Sequence, residues 1–500
     1  SFENLEHSAR KKRFSLMEIL LSELICGKDL PDILLKGISA DSRKIKKGEL
    51  FVSLSGRKYE GNDFISDALN RGAAAVITDK PAVKNNKTDL PIFCLPNLRK
   101  DLGKYASRFF GFPSQNMQIT ALTGTNGKTS VTHFLAQVLR GKGFSSGIIG
   151  SLGYGEPEKL VDTDLTTPDA IRLQGILRTL YDKGFEHIFL EASSHGLHQG
   201  RLSGVDLDIA VLTNITQDHL DYHKTMSAYR KAKAKLFTFA SLKKAVINED
   251  DEYAEDLKRL LSPNIEVKTF GRKRSADIRL ISESFNRKGI SLKVSCSGFE
   301  FSIDLALFGT FNVENILATL ATLNSMGWSG EEISNSIEHL VGVPGRMELV
   351  SKEKEPTVFL DYAHTPDGLE KALRSIREHF GRRKLTCIFG CGGDRDPSKR
   401  HLMGKIASET SDVIILTNDN PRGEVPENII RDIRAGIPGS YLCEPDRARA
   451  IKDAIRAAEN EEVILVAGKG REMFQQIGFK KIPYQDLDCI RVALEAREHV

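Results

Sequence analysis

The stretch "MQITALTGTNGKTSVTHFLAQVL", Met117 to Leu139, joins an apolar, β-branched run to a glycine turn and then to an apolar stripe at helical spacing. The run from Gln118 predicts a strand. Val131, Phe134, Leu135, Val138 and Leu139 fall on one face of a helix. Between them lies "GTNGKTS": Gly124, Thr125, Asn126, Gly127, Lys128, Thr129 and Ser130. The two glycines let backbone amides point inward as an anion cradle. Lys128 adds a point charge, and Thr129 offers a hydroxyl to Mg²⁺. The helix directs the positive end of its dipole at the same place. A glycine turn with an incidental Gly-Lys-Thr is the plainer reading, but strand, loop and helix come in the order that phosphate binding requires. Only Thr125 and Asn126 separate the glycines, so the loop is more compact than the usual G-x-x-x-x-G-K-[ST].

Outward from this loop the chain is globular in composition. Its 500 residues are 40% hydrophobic and 28% charged, too long a chain for one core, so two to four domains are expected. A formal net charge of +4 gives no support to a general nucleic-acid-binding role and leaves room for local phosphate pockets. Seven scattered cysteines suit reduced thiols in a cytoplasm. Cys387 and Cys391 have no second Cys/His pair at ligand spacing, so no zinc-type site is expected there. No run approaches the ~18 apolar residues of a membrane span. The opening "SFENLEHSARKKRFSLMEILLSELICG" sets basic residues before an apolar segment, as a signal peptide does. Glu18 and Glu23 interrupt that segment, and its spacing predicts an amphipathic helix instead.

An α/β chain of three domains is predicted. Residues 1–114 mix short strands and helices ("GELFVSLSG", "DFISDALNRGAAAVITDK"). Residues 115–341 alternate strand and helix around a mostly parallel sheet ("QITALTG", "HIFLEAS", "DIAVLTNI", "KAVINE"), then run through antiparallel hairpins to the helix "NVENILATLATLNSMG". Residues 342–500 begin a second, Rossmann-like alternation: "TVFLDYAH", "KLTCIFGCGG", "DVIILTNDN", "EVILVAGKG". Each of these strands stops in a loop rich in Gly, Asp or Asn. Ligands gather at the carboxyl ends of strands in such sheets, so these loops form a second candidate site.

Triphosphate chemistry needs Mg²⁺, which prefers oxygen ligands. Glu191 ends the strand "HIFLE", beside the loop if the strands are neighbours, and His219 follows the strand "DIAVLTNI". Taken alone, Glu191 reads as a solvated strand end, His219 as a capping or structural histidine, and Lys233 as one more cation of the helix face "RKAKAK".

The order of the segments reverses those readings. "ADSRKIKKGELFVSLSG", "GTNGKTS", "TTPD", "EASSHGLHQGR", "TNITQDHLDYH", "AKAKLF", "FGTFNVEN", "VPGRME", "DYAHTPD", "GCGGDRD", "TNDNPRGE" and "AGKGRE" follow one another over nearly the whole chain. This set resembles the Mur ligase family, ATP-dependent amino-acid-adding enzymes of bacterial peptidoglycan synthesis. The resemblance implies a uridine-binding N-terminal domain, a central ATPase domain, an amino-acid-binding C-terminal domain, and a cytoplasmic monomer. It implies that Thr129, Glu191, His219 and Lys233, the last as a carbamate (N6-carboxylysine), hold Mg²⁺. An ammonium repels Mg²⁺, whereas CO₂ added to a neutral lysine makes a carboxylate-like ligand. Lys128, Lys233, His219 and Glu191 are then the catalytic set. Asn312, Arg346, Asp361 and His364 join the loop in binding ATP. Ser42, Thr166, Thr167, Ser193, Gln199 and Arg201 fall to the acceptor, UDP-N-acetylmuramoyl-L-Ala-D-Glu. Arg201 is the most persuasive physically, because a guanidinium forks onto carboxylate or phosphate.

Within the resemblance, "DNPR" goes with branches that add meso-diaminopimelate, and relatives that add lysine lack the arginine. Diaminopimelate carries a second carboxylate that a guanidinium can hold in two parallel hydrogen bonds, without which Arg422 is expected to be a buried unpaired cation. Arg395, Asp419, Asn420, Pro421, Gly468 and Glu472 complete that set, Glu472 suiting the distal ammonium. Arg471 stands where relatives often have histidine, an extra cation beside the site. Three other readings stay open: a sister ligase that adds lysine or is of folyl- or cyanophycin-type, a phosphate-loop switch that hydrolyses nucleotide without an amine, and a nucleotide-binding module without catalysis that would tolerate loss of Lys233 and His219.

Overall fold

The computed structural model describes residues 17–26, 30–56, 60–81, 91–163 and 165–497. Most of the apolar segment expected as an amphipathic helix lies within them, and its start and the basic stretch before it lie outside. Its described part is not a continuous helix, because Ile19–Leu20 is a short strand paired with Leu34–Leu35 and the helix Leu21–Leu24 is one turn long. Leu21 and Leu24 sink into the same core as Leu35 and Leu50. Tertiary packing has overridden the local pattern here.

The backbone falls into two compact units: residues 1–128, 139–246 and 251–267 in the first, and residues 129–138, 247–250 and 268–500 in the second.

In the first unit, a four-stranded parallel sheet runs in the order Gly37–Ser39, Glu49–Ser53, Ala75–Thr78, Ile92–Cys94. Helix Leu98–Phe109 covers it through Leu98, Leu102, Ala106 and Phe109. The second sheet of this unit is built around Gln118–Thr123. That strand lies between His187–Glu191 and Ile209–Leu212, parallel to both, and Ser146–Gly150 flanks His187–Glu191. Apart from the first residues Gln118 and His187, these strands are buried, which is why they read as apolar runs rather than alternations. The register sets Glu191 opposite Leu122 and Leu212 opposite Thr123. Three strands therefore end level at the phosphate loop.

In the second unit, Ile278–Asn286, Gly289–Cys296 and Phe299–Leu305 form the expected antiparallel hairpins, followed by the buried helix Asn312–Ser325. Its other sheet runs Glu348–Leu349, Thr357–Asp361, Val463–Ala467, Leu385–Phe389, Val413–Leu416, Leu442–Cys443, parallel except for the first pair. Side chains alternate across it. Phe359, Cys387, Leu416 and Leu465 face helices Pro366–Phe380, Ser398–Thr410 and Pro426–Arg434. Val358, Leu360, Ile388 and Val466 face helices Arg447–Ala457 and Asp486–Glu495. Cys387 and Cys391 are buried with their thiols pushed up to about 12 by that burial, and the Cys391 sulfur lies 3.6 Å from that of Met403. Among the described residues no helix is long and apolar enough to cross a membrane.

Candidate functional site

The turn Gly124–Gly127 is held by the segment after Ile209–Leu212. Thr125 N donates to the Asn214 carbonyl (2.8 Å), Asn126 N to Asn214 Oδ1 (3.0 Å), and Thr213 Oγ1 to the Asn126 carbonyl (2.6 Å). A Cβ on Gly124, whose φ is +152°, would lie 1.8 Å from Thr213 Oγ1, so no other residue fits at that position. Lys128 Nζ donates to the carbonyls of Gly124 (2.8 Å) and Thr125 (3.1 Å).

Lys233 comes to the same carbonyl. Helix Met226–Ala234, capped by Thr225 Oγ1, buries Tyr229, Ala232 and Lys233 on one face. Lys233 is 2% exposed and its Nζ lies 2.6 Å from the Gly124 carbonyl and 4.5 Å from the Tyr229 ring centre. Burial, and then the neighbouring Lys128 charge, hold its pKa well below that of an ordinary lysine. The shift favours the free, nucleophilic amine over the ammonium. Tyr229 is hydrogen-bonded to Thr125 Oγ1 at 3.1 Å, which anchors the helix to the loop.

Glu191 is buried at its strand end and accepts from Ser151 N (2.9 Å) and Ser151 Oγ (3.2 Å). A Cβ on Gly150 would come within 2.1 Å of its Oε1. Thr166, Thr167, Ser193, Gln199 and Arg201 form one network with it. Ser151 Oγ pairs with Thr166 Oγ1 (3.0 Å), and Thr167 Oγ1 lies within hydrogen-bond reach of the Glu191 carbonyl (2.7 Å) and of Ser193 Oγ (3.0 Å). Arg201 reaches the Thr167 carbonyl (2.6 Å) and forks onto Gln199 Oε1 at 3.0 and 2.8 Å. Ser193 caps the short helix Ser194–His198. His219 is half exposed in a left-handed backbone conformation, 4.8 Å from the His195 ring centre. Ser42 is buried in the turn Ser42–Lys44, behind Asp41, which Arg43 clasps at 2.9 Å.

Oxygen ligands for Mg²⁺ are few as the residues stand. Among the described residues no group of three or more His, Cys, Asp or Glu side chains could hold a metal ion. Glu191 supplies a carboxylate, and a Lys233 amine shifted toward its unprotonated form would supply a second if it took up CO₂. With that addition the donor set suits a hard cation.

In the second unit Asp361 ends its strand buried, accepting from Met347 N (2.6 Å) and Ala363 N (2.7 Å). Arg346 lies over the Tyr362 ring at 4.7 Å, and His364 Nδ1 pairs with the Tyr362 carbonyl at 2.8 Å. Asn312 opens its helix with its amide turned inward, donating to the Phe308 carbonyl (2.7 Å) and accepting from Asn315 Nδ2 (2.9 Å).

The loops after Leu385–Phe389, Val413–Leu416 and Val463–Ala467 meet. Asn420 Nδ2 donates to Glu472 Oε2 (2.8 Å), and its Oδ1 accepts from Lys469 Nζ (3.0 Å) and Gln476 N (2.8 Å). Lys469 Nζ also donates to Glu472 Oε2. Asp419 Oδ1 accepts from Asn420 N (2.7 Å), and a Cβ on Gly468 (φ +117°) would lie 2.9 Å from Asp419 Oδ2. Pro421 is buried, and its carbonyl would lie 2.0 Å from a Cβ on Gly393. Arg395 is exposed.

Three family models match the chain: "Mur ligase family, catalytic domain" over residues 34–108, "Mur ligase middle domain" over 122–323, and "Mur ligase, glutamate ligase domain" over 345–470. A UDP-N-acetylmuramoyl-L-alanyl-D-glutamate–2,6-diaminopimelate ligase of Coxiella burnetii is 40% identical, covering 95% of this chain and 99% of its own. The chain belongs to the Mur ligase family. A ligase of the same name from Chromobacterium violaceum is 42% identical over 92% of this Mur ligase and 94% of its own length. A solved structure of that name superimposes with a TM-score of 0.73 at 34% identity, covering 97% and 100% of the two chains.

Two expectations for this Mur ligase need correction, those for Arg422 and Arg471. Arg422 is half-buried rather than buried, and it is not unpaired, because its Nη1 donates to the Gly393 carbonyl at 2.8 Å. Glu472 is already engaged by Lys469 and Asn420. Arg471 is not an additional free cation, since it forks onto Glu348. Sequence reasoning also passed over the side chains that hold the loops. Asp394 N donates to Glu424 Oε1 (2.6 Å), Gly423 N to Asp394 Oδ2 (3.0 Å), and buried Arg400 bonds Glu424 (2.8 Å) and Asp432 (2.9 Å). Arg447 and Asp486 form a fully buried fork at 2.7 Å that also reaches the Ala467 carbonyl. The partners are separated by tens of residues, and only an unusual Arg inside an apolar helical stripe ("RARAIKDAI") signalled any of them.

Proposed function

We propose that this Mur ligase joins meso-2,6-diaminopimelate to the D-Glu carboxylate of UDP-N-acetylmuramoyl-L-Ala-D-Glu in the bacterial cytoplasm, using ATP through an acyl phosphate and releasing ADP and phosphate. The observation that carries the reading is the likeness, from end to end, to ligases of that name.

The residues suit the task. A carboxylate is a poor acceptor for an amine until its oxygen becomes a leaving group, which γ-phosphoryl transfer achieves. Catalysis is then mostly positioning and charge neutralisation. Gly124 to Ser130 cradle the phosphates, and Lys128 exchanges its loop carbonyls for phosphate oxygens. Asn312, Arg346, Asp361 and His364 serve the nucleotide side. Ser42, Thr166, Thr167, Ser193, Gln199 and Arg201 orient the acceptor, Arg201 being already fixed by two partners. Lys233, its pKa lowered by burial, adds CO₂ through its unprotonated form, releasing one proton and forming a carbamate. With Thr129, Glu191 and His219 that carbamate would hold Mg²⁺, which when bound neutralises charge on the transferring phosphoryl group. On the amine side Arg422 and Arg395 meet the distal carboxylate, while Asp419, Asn420, Pro421, Gly468 and Glu472 shape the ammonium pocket.

The test supplies ATP, Mg²⁺ and the UDP-linked dipeptide with either diaminopimelate or lysine, and reads phosphate release and product mass. Turnover with diaminopimelate far above that with lysine is expected. Equal use of both would leave a ligase without this selectivity, and no amide product with either amine would end the reading.

A further inference from the structure

The turn Gly345–Glu348 and the loop Gly468–Glu472 are packed backbone to backbone. Gly345 (φ +70°) has space for a Cβ only within 2.9 Å of Arg471 N. A Cβ on Gly470 (φ +51°) would lie 3.1 Å from the Gly345 carbonyl oxygen and from Tyr362 Cβ. Over this contact Arg471 closes a fork onto Glu348, Nε to Oε2 at 2.8 Å and Nη2 to Oε1. Glu348 Oε2 also accepts from Gly345 N at 2.7 Å, so one carboxylate fastens both segments. The pair is 29% and 18% exposed, screened enough from water to hold its geometry. Each segment leads to a different substrate. Next to Glu348 in the chain, Met347 N donates to Asp361 and Arg346 stacks on Tyr362. Next to Arg471, Glu472 bonds Asn420 and Lys469.

We propose that Arg471 is a positioning residue for the amine substrate. Its fork onto Glu348 fastens the amine-binding loop to the turn that carries the nucleotide-side Arg346, and thereby sets where Glu472 and Gly468 stand. This rests on the assignment of that loop to diaminopimelate. Arg471 touches no reacting atom. Its guanidinium is spent on Glu348, and what it contributes is the fixed position of its neighbour. Loss of the fork leaves the glycine contact in place but frees Glu472 to follow Lys469.

The experiment compares the unaltered enzyme with Arg471→Ala, Arg471→Lys, Glu348→Gln and the Ala/Gln double variant. It measures KM for diaminopimelate, ATP and the UDP-linked dipeptide, together with kcat. Arg471→Ala is expected to raise KM for diaminopimelate about tenfold, with kcat and the UDP-dipeptide KM within about twofold. Glu348→Gln should do the same, the double variant should be no worse than either single one, and Arg471→Lys should recover part of the loss. Additive losses in the double variant, an unchanged diaminopimelate KM, or equal losses toward all three substrates would overturn the proposal. If the unaltered enzyme makes no product with diaminopimelate, the fault lies in the assignment of the loop instead. Circular dichroism and the unfolding midpoint of each variant separate misfolding from loss of position.

Discussion

Lys233 carries the heaviest single consequence. It is a lysine without solvent, bonded to a loop carbonyl, next to a second lysine. Arg, Met or Ala at this position cannot form a carbamate. Lys233→Ala is expected to lose nearly all ligase activity and to regain part of it when short carboxylic acids are added; an inactive variant that no carboxylate rescues would count against the carbamate. The same burial makes a stability prediction. The unfolded lysine keeps its proton up to about 10.5, while the folded one loses it well below that value. The unfolded state therefore binds more protons throughout that window, and stability rises with pH across it. In CO₂-free buffer Lys233→Met should unfold later than the parent at neutral pH, with the difference shrinking as pH approaches 10. Thermal melts at several pH values measure it. Arg422 belongs to the same scale. With one guanidinium nitrogen on the Gly393 carbonyl, the remaining donors are available to a carboxylate. Arg422→Ala should raise KM for diaminopimelate on the order of 100-fold while ATP binding holds. Isothermal titration with each substrate reads both.

At the scale of elements, the loops of the second unit are held from behind rather than by their own sequence. The Arg447–Asp486 fork joins the start of helix Arg447–Ala457 to the start of helix Asp486–Glu495 and reaches the end of strand Val463–Ala467. Tyr484 OH adds a bond to Asp486 at 2.9 Å. Asp486→Ala leaves a buried guanidinium without its counter-charge, which costs about 3–5 kcal/mol; urea unfolding of this variant against the parent gives the number. The strands themselves were legible. "QITALT", "HIFLE", "TVFLD" and "VILVA" are runs of β-branched and apolar residues bounded by turn chemistry, and each lies inside the segment read for it. The strand Ser146–Gly150 and the hairpins that follow it carry no such run. Glycines at 147, 150, 153 and 155 hid them, and Gly150 is there because Glu191 fills the space of a side chain. The hairpin Phe474–Ile477 with Lys480–Pro483 was hidden for another reason: its strands are short, mostly exposed and polar.

For the whole molecule, the chemistry predicts strict dependence on the acceptor. Phosphoryl transfer here makes a mixed anhydride on a substrate carboxylate, so ATP with Mg²⁺ alone should release no phosphate above background. Adding the UDP-linked dipeptide and diaminopimelate should start turnover. Steady release from ATP alone would indicate a nucleotide switch instead.

What the sequence by itself determined was the set of chemical groups and the strand ends they sit on: a phosphate loop between strand and helix, and carboxylate and guanidinium at loop positions. These are local, so periodicity and turn chemistry reach them. What only the tertiary structure decided was the state of those groups. Lys233 has its pKa lowered because other segments remove its water, Glu472 is engaged because Lys469 is buried beneath it, and Arg471 is paired because Glu348, over a hundred residues earlier, closes on it. Desolvation and pairing are set by neighbours brought together in space, and a chain read in order does not contain them.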